Sequence, residues 1–318
     1  AGYTETPSFP FTTDEANQLH GSAHGEPVAS IKLANPLDGQ APFLRRSLLP
    51  GLMAVAHRNL SRGFTDLALF EAGAVFLPEP GVQYGTDEVP PAAQRPSPET
   101  LAVLAAAIPP QPRHAAVLLL GALIPKQPGQ PAVATGIADA LDAVRTIAAA
   151  IGVKIDVVQG QRPALHPGRT GILSIAGEVV GYVGELLPAI AEAADLPSVV
   201  AVAELDLDRA IALSGGAVTA ATLSTFTPAT QDVSLIVPLD VAAAAVRQAL
   251  LDGAGALLEA ARLVDDYRGE GMPEGSKSLS FALRFRAPDR TLTSAEASEA
   301  KLAGVAVAAE RFGARIRD

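Results

Sequence analysis

Leu263-Val264-Asp265-Asp266-Tyr267-Arg268-Gly269, followed after five intervening residues by Gly275-Ser276-Lys277-Ser278-Leu279, is the stretch on which the reading of this 318-residue chain turns. Side chains alternate along a strand, so Asp265 and Tyr267, two apart, project from the same face. The next strand begins near Ser278 and returns beside them. A carboxylate acceptor, an aromatic plate and a hydroxyl then converge on one surface. Such a trio suits the stacking of one flat heterocycle and the reading of its edge, as for a single splayed-out base. It brings no group suited to breaking bonds.

Around this stretch the hydrophobic periods switch cleanly. Asp232–Val237 alternates as a strand, and Asp240 is placed to cap a helix over about Val241–Leu251 with Val246 and Leu250 on one stripe. A strand over about Ala261–Tyr267 follows, then a turn containing Gly269, Gly271, Pro273 and Gly275. Ser278–Arg286 alternates again, with Leu279, Phe281, Leu283 and Phe285 on one face and Ser280, Arg284 and Arg286 on the other. Thr293-Ser294-Ala295-Glu296 has the spacing of a capping box and opens a helix to about Phe312. Gly313 is placed to end it and Ala314–Arg317 to form a last strand. The order β-α-β-β-α-β is that of a ferredoxin-like fold.

The first two-thirds is less regular. Leu44–Arg62 carries a helical stripe of Leu48, Leu52, Val55 and Ala56, with Pro50 in or just before its first turn. Leu67–Phe70 and Ala74–Leu77 read as short strands around Gly73. Residues 78–112 contain nine prolines and read as a long surface loop. Val117–Leu123 is a buried strand and Ile137–Ile151 an amphipathic helix ending at Gly152. Lys154–Val158, Ile172–Ala176, Val179–Gly184 and Val199–Leu207 are further strands, the middle pair a hairpin around Gly177-Glu178. The pattern predicts an α+β layer, a mixed and largely antiparallel sheet covered by helices on one face.

A chain of this length holds two domains on ordinary priors, and 48% hydrophobic with 18% charged residues supports sizeable cores. The lack of Cys excludes disulfides and thiolate metal sites and suits a reducing cytoplasm. No apolar run approaches the ~20 residues that span a bilayer. The chain opens on Ala1 without a start methionine, and we expect a piece of something longer. The net charge of −10 opposes broad electrostatic binding of nucleic acid. It is uneven, however: residues 1–223 hold 13 Lys and Arg against 21 Asp and Glu, and residues 224–318 hold 11 against 13. In the second segment Arg284, Arg286 and Arg290 group together, and Arg311, Arg315 and Arg317 close the chain. A local basic face is compatible with that distribution.

Several motifs then resemble one family. Asn35-Pro36-Leu37, Leu44–Leu52 (with Arg45-Arg46-Ser47), Asn59-Leu60, Leu69-Phe70-Glu71-Ala72-Gly73, His166-Pro167-Gly168-Arg169 and Gly181–Pro188 are similar to the C-terminal half of the bacterial phenylalanyl-tRNA synthetase beta subunit. The tail resembles its ferredoxin-fold anticodon-binding domain through Asp232, Asp265–Gly269, Lys277-Ser278-Leu279, Arg290–Thr293 and Gly313–Arg317. Gln231 departs from the pattern, where the family usually has Arg.

The resemblance implies a class II synthetase-like pseudo-catalytic domain over residues 1–213, a linker over 214–223 and the anticodon-binding domain over 224–318. Neither a motif-2 arginine loop nor a Gly-rich stretch ending in a motif-3 Arg is present to hold ATP. Catalysis would therefore sit on the alpha subunit of an (αβ)₂ heterotetramer that uses ATP, Mg²⁺ and phenylalanine, with no cofactor, metal or catalytic residue in this piece. By the family pattern Asp265, Tyr267 and Ser278 recognise the first anticodon base, and Arg284, Arg286, Arg290 and Arg315 are candidates for the flanking phosphates. The chemistry is consistent, since guanine offers N1–H and N2–H₂ donors to a carboxylate and a π-face to a tyrosine.

Blander roles compete at each position. Asp265 and Tyr267 also fit a strand-end acid and a packed tyrosine, and exposed arginines are commonly a solvated face. His57, His114 and His166 have no acidic partner at metal-ligand spacing, which speaks against zinc. His166–Arg169 reads as a turn feeding the Ile172 strand rather than a phosphate nest, and Arg45 or Arg46 with Glu71 as a buried pair. Ser47 and Ser224 lack a nucleophile-elbow pattern. The alternative function is an α+β small-molecule enzyme or ligand-binding protein with a regulatory ferredoxin-like domain. A purely structural oligomerisation piece is the third.

Overall fold

Ala116–Leu120 are apolar without alternation because the strand that carries them is buried on both sides. The computed structural model describes residues 2–90, 92–216 and 224–317. It divides into two units, Ala1–Val218 and Thr219–Asp318. Of the expected linker 214–223, residues 217–223 lie outside the described residues.

In chain order the first unit begins with β1 (Thr4–Glu5), β2 (Phe11–Thr12), α1 (Asp14–Gly21), β3 (Phe43–Leu44), α2 (Leu49–Leu60) and β4 (Leu67–Ala74). There follow α3 (Pro98–Ala106), β5 (Arg113–Leu120), β6 (Ala122–Ile124), β7 (Val133–Ala134) and α4 (Ile137–Ala150). It closes with β8 (Asp156–Gln159), β9 (Leu165–Ile175), β10 (Glu178–Leu186), α5 (Pro188–Ala193), β11 (Val200–Asp206) and α6 (Leu207–Ala212). Seven strands make one sheet in the order β1-β4-β5-β11-β10-β9-β8, parallel at β1–β4 and antiparallel elsewhere.

Helices lie on both faces of this sheet, not on one as the sequence suggested. Leu48, Leu52 and Ala56 of the α2 region pack with Leu118, Leu120, Val200 and Val202. Ala140 and Val144 of α4 pack with the alternate residues Val117, Leu119, Ala201 and Ala203. A strand apolar on both sides needs cover on both, which is the physical content of the unbroken runs in β5 and β11. Of the two short strands expected around Gly73, the first runs on through the glycine to Ala74 as β4, and Val75–Leu77 of the second lie outside any strand. Gly73 lies within β4 because a Cβ there would come 2.6 Å from Nη2 of Arg45. That arginine pairs at 2.7 Å with Glu71, both buried. The Pro-rich segment 78–112 carries α3, opened by the side chain of Ser97 and a proline in the first turn. The hairpin between β9 and β10 turns on Ala176 and Gly177, both at positive φ, the pair a tight hairpin turn requires. His166–Arg169 belongs to β9, where Arg169 pairs with Glu185.

The second unit runs β12 (Ala229–Pro238), α7 (Ala243–Ala254), β13 (Leu258–Tyr267), β14 (Ser276–Phe285), α8 (Ser294–Phe312) and β15 (Arg315–Ile316). The sheet order is β13-β14-β12-β15, antiparallel throughout. Val233, Leu235, Leu279, Phe281 and Leu283 form one face and pack with Val246, Leu250, Ala297 and Ala308 of the two helices. Thr293 and Glu296 make the reciprocal capping box, and Gly313 ends α8 at φ +65°. Asp240 does not cap α7; the helix starts after Ala242 with no side-chain cap. Among the described residues no helix is long and apolar enough to cross a membrane.

Candidate nucleic-acid interface

The helices occupy one face of the second sheet, and its other face assembles the polar residues. Two rows cross the four strands. In the first, Tyr267 stands opposite Ser278, Ser278 opposite Ile236, and Ile236 opposite Arg315. In the second, Asp265 stands opposite Ser280 and Ser280 opposite Ser234, whose carbonyl accepts from the Arg317 N–H. The face to which Asp265 and Tyr267 belong is set by a β-bulge between Leu263 and Asp265. Ala261, on the near side of it, is buried against Leu283 on the helix face. Strict alternation would carry Asp265 and Tyr267 to that face too, and the extra residue turns them to the open one.

Each side chain has a defined setting. Asp265 is exposed and, among the described residues, makes no ion pair. The half-buried Tyr267 donates its hydroxyl to the carbonyl of Glu270 at 3.0 Å. The Arg317 guanidinium lies 5.1 Å from its ring centre. A Cβ at position 269 would fall 2.5 Å from the ring, so glycine there makes room for it. Ser278 has no exposed surface, and its hydroxyl finds no partner. The hydroxyls of Ser280 and Ser234, which are partly accessible, meet at 2.8 Å. Asp266 turns the other way. Hydrogen bonds from Arg268, assisted by Lys277, hold its carboxyl below the ordinary carboxylate range.

Of the seven residues singled out in the sequence, the fold brings together Asp265, Tyr267, Ser278 and Arg315. Arg284, Arg286 and Arg290 are elsewhere. Arg284 is six positions along β14 from Ser278, about 20 Å at strand rise. Arg284 pairs with Glu259 at 2.7 Å. Arg286 bonds Glu259 and the carbonyls of Ser224 and Phe226. Arg290 pairs with Glu296 at the start of α8. Their acidic and carbonyl partners give these three structural work within the unit. Gln231 faces α8 and bonds the Ser298 hydroxyl at 2.8 Å, away from the open face. Sequence reasoning placed Ser280 on the polar face and Arg317 among the closing arginines but assigned neither to the site, and it did not single out Ser234. Nothing local places Arg317 over Tyr267.

In chemical terms the open face presents an acceptor, a ring, small hydroxyls and two cations. Among the described residues no three His, Cys, Asp or Glu side chains gather as a metal site.

Comparison with known proteins agrees with this layout. Residues 1–207 match the phenylalanyl tRNA synthetase beta chain CLM domain, and residues 224–317 match the ferredoxin-fold anticodon binding domain. The phenylalanine–tRNA ligase beta subunit of Leifsonia xyli is 56% identical over 100% of this chain and 38% of that protein. That of Streptomyces avermitilis is 46% identical over 100% of this chain and 38% of that protein, and that of Thermobifida fusca 42% over 99% and 38%. The chain thus spans somewhat over a third of the length of these curated relatives. It belongs to the phenylalanyl-tRNA synthetase beta chain family, of which it carries the CLM and ferredoxin-fold anticodon-binding domains.

Proposed function

We propose that this chain serves as the C-terminal part of a phenylalanine–tRNA ligase beta subunit, reading the tRNA anticodon and supporting assembly with an alpha subunit in an (αβ)₂ enzyme of the cytoplasm. ATP, Mg²⁺ and the attachment of phenylalanine belong to the alpha subunit in this reading. The observation that supports it most is the juxtaposition of Asp265, Tyr267 and Ser278 on a helix-free sheet face. A guanine at the first anticodon position would stack on Tyr267 and give its N1–H and N2–H₂ to Asp265. Ser278 lies enclosed, so it shapes the floor, while Ser280 is the hydroxyl nearest Asp265 across the strands. In this reading Arg315 and Arg317 would supply the cations for the neighbouring phosphates.

The test is a binding titration of the alpha–beta enzyme with transcripts differing only in the first anticodon base. Guanine should be preferred, and Tyr267→Ala should cost about 1–3 kcal/mol, the worth of one stacked base. Tyr267→Phe should keep most of the affinity. Equal binding of all four transcripts, or no change in Tyr267→Ala, overturns the reading.

A further inference from the structure

Tyr267 is the last residue of β13, and the connection that begins at Arg268 runs to Gly275 before β14 starts. Gly269, Gly271 and Gly275 give its backbone wide freedom, and the last two stand at positive φ. The ring nevertheless depends on this connection, because its hydroxyl donates to the Glu270 carbonyl at 3.0 Å. An aromatic plate tied to a loose loop would swing with the loop. A stacking platform therefore needs the chain to be fixed where it leaves the strand.

The side chains on either side of Tyr267 supply that restraint. Arg268 grips Asp266 with both ends of its fork: Nε donates to Oδ1 and Nη2 to Oδ2, each at 2.9 Å. Such a pair is worth little when both partners move freely in water. Here the acid is not free. Lys277, at the start of the returning strand, is 4% exposed, and its ammonium lies 3.7 Å from Asp266 Oδ2. Among the described residues it makes no other ion pair. A buried ammonium stays with its counter-ion, because parting them would leave a charge unpaired away from water. Restraint therefore passes from buried Lys277 through Asp266 to Arg268, the first residue of the connection. From these contacts we infer that Asp266 is a positioning residue for the anticodon site: clasped by Lys277 and Arg268, it fixes the start of the loop and, through it, the Tyr267 ring. The inference rests on the reading of Tyr267 as a stacking plate. Asp266 itself meets no base.

The experiment measures tRNA binding by the alpha–beta enzyme carrying Asp266→Asn, Tyr267→Ala or both. Asp266→Asn keeps the shape and removes the charge. It should weaken binding about fivefold with Tyr267 present and less than about twofold in the Tyr267→Ala background, since a residue acting only through the ring loses its effect with the ring. Lys277→Met replaces the buried ammonium by an apolar chain, so it should weaken binding by a similar factor while the urea midpoint holds or rises. NMR signals of the Tyr267 ring in the free protein should shift in Asp266→Asn and Lys277→Met. Asp266→Glu, which keeps the charge, should recover most of the affinity. A loss from Asp266→Asn as large without Tyr267 as with it, or ring signals unmoved in both variants, overturns the inference and leaves the role of Tyr267 in place. No loss from Tyr267→Ala alone overturns the two together.

Discussion

The Arg317 guanidinium lies over the ring of Tyr267 although the two come from strands at opposite edges of the sheet. It reaches there from the row of Ser234 and Ser280, beside Asp265. The cation therefore sits on the surface where a stacked base would lie, and a bound nucleotide would move it outward toward the backbone phosphates.

Arg317→Ala should accordingly weaken tRNA binding and reduce the slope of log affinity against log salt by about one, since one phosphate contact is lost. Arg290→Ala should change neither affinity nor slope, because Glu296 already engages that side chain at 2.6 Å. Equal effects of the two substitutions would contradict this division of the arginines.

Gly269→Ala should mimic Tyr267→Ala in tRNA binding. The added Cβ would fall 2.5 Å from Cζ and Oη of the ring, so the phenol must leave its place and its bond to Glu270. Position 269 is exposed, so the unfolding free energy from urea titration should stay within about 0.5 kcal/mol of the parent.

Gly304→Val should destabilise the second unit. A Cβ at 304 would lie 2.7 Å from the Leu250 carbonyl, and one at Gly253 would lie 2.5 Å from that of Ala303. The two glycines let α7 and α8 touch backbone to backbone, and overpacking at such a contact costs at least about 1–3 kcal/mol. Chemical unfolding of the variant by circular dichroism measures it.

Two buried histidines should give the first unit opposite pH dependences. Burial lowers His20 to about 4, so the folded state resists a proton that the unfolded chain takes near 6.5. Stability is present above about 6.5 and falls as pH drops toward 4, by up to about 3 kcal/mol at 1.36 kcal/mol per unit. For His114 burial works downward, but the hydrogen bond and charge of Glu204 outweigh it and raise the ring above its usual value. Its contribution is complete below about 6.5 and is lost as pH climbs through that raised value. Urea midpoints across pH should therefore show His20→Gln flattening the limb below about 6.5 and His114→Gln the limb that begins above it. Parallel curves for parent and variants would contradict both assignments.

His114 also shows where sequence reading stopped. Its acidic partner was absent from any neighbouring spacing because Glu204 is 90 residues away, on the strand paired to β5. A buried Arg–Glu71 pair was legible, but which of Arg45 and Arg46 makes it was decided only by the fold, which selects Arg45. Cover on both faces of the first sheet was not drawn from the apolar runs of β5 and β11, although those runs contain it.

What the amino-acid order determined by itself was everything governed by near neighbours: the βαββαβ succession, the Thr293–Glu296 box, the glycine stop at 313, and the fact that Asp265 and Tyr267 share a face. Backbone dihedrals and period-2 or 3.6 burial patterns are local, so they survive in a linear reading. Which face that is, and what stands over Tyr267, only the tertiary structure decided. A single bulged residue inverts a strand's two faces, and the packing of α7 and α8 against one side selects the register in which Asp265 and Tyr267 look outward. Arg317 reaches the ring only once four strands are laid side by side.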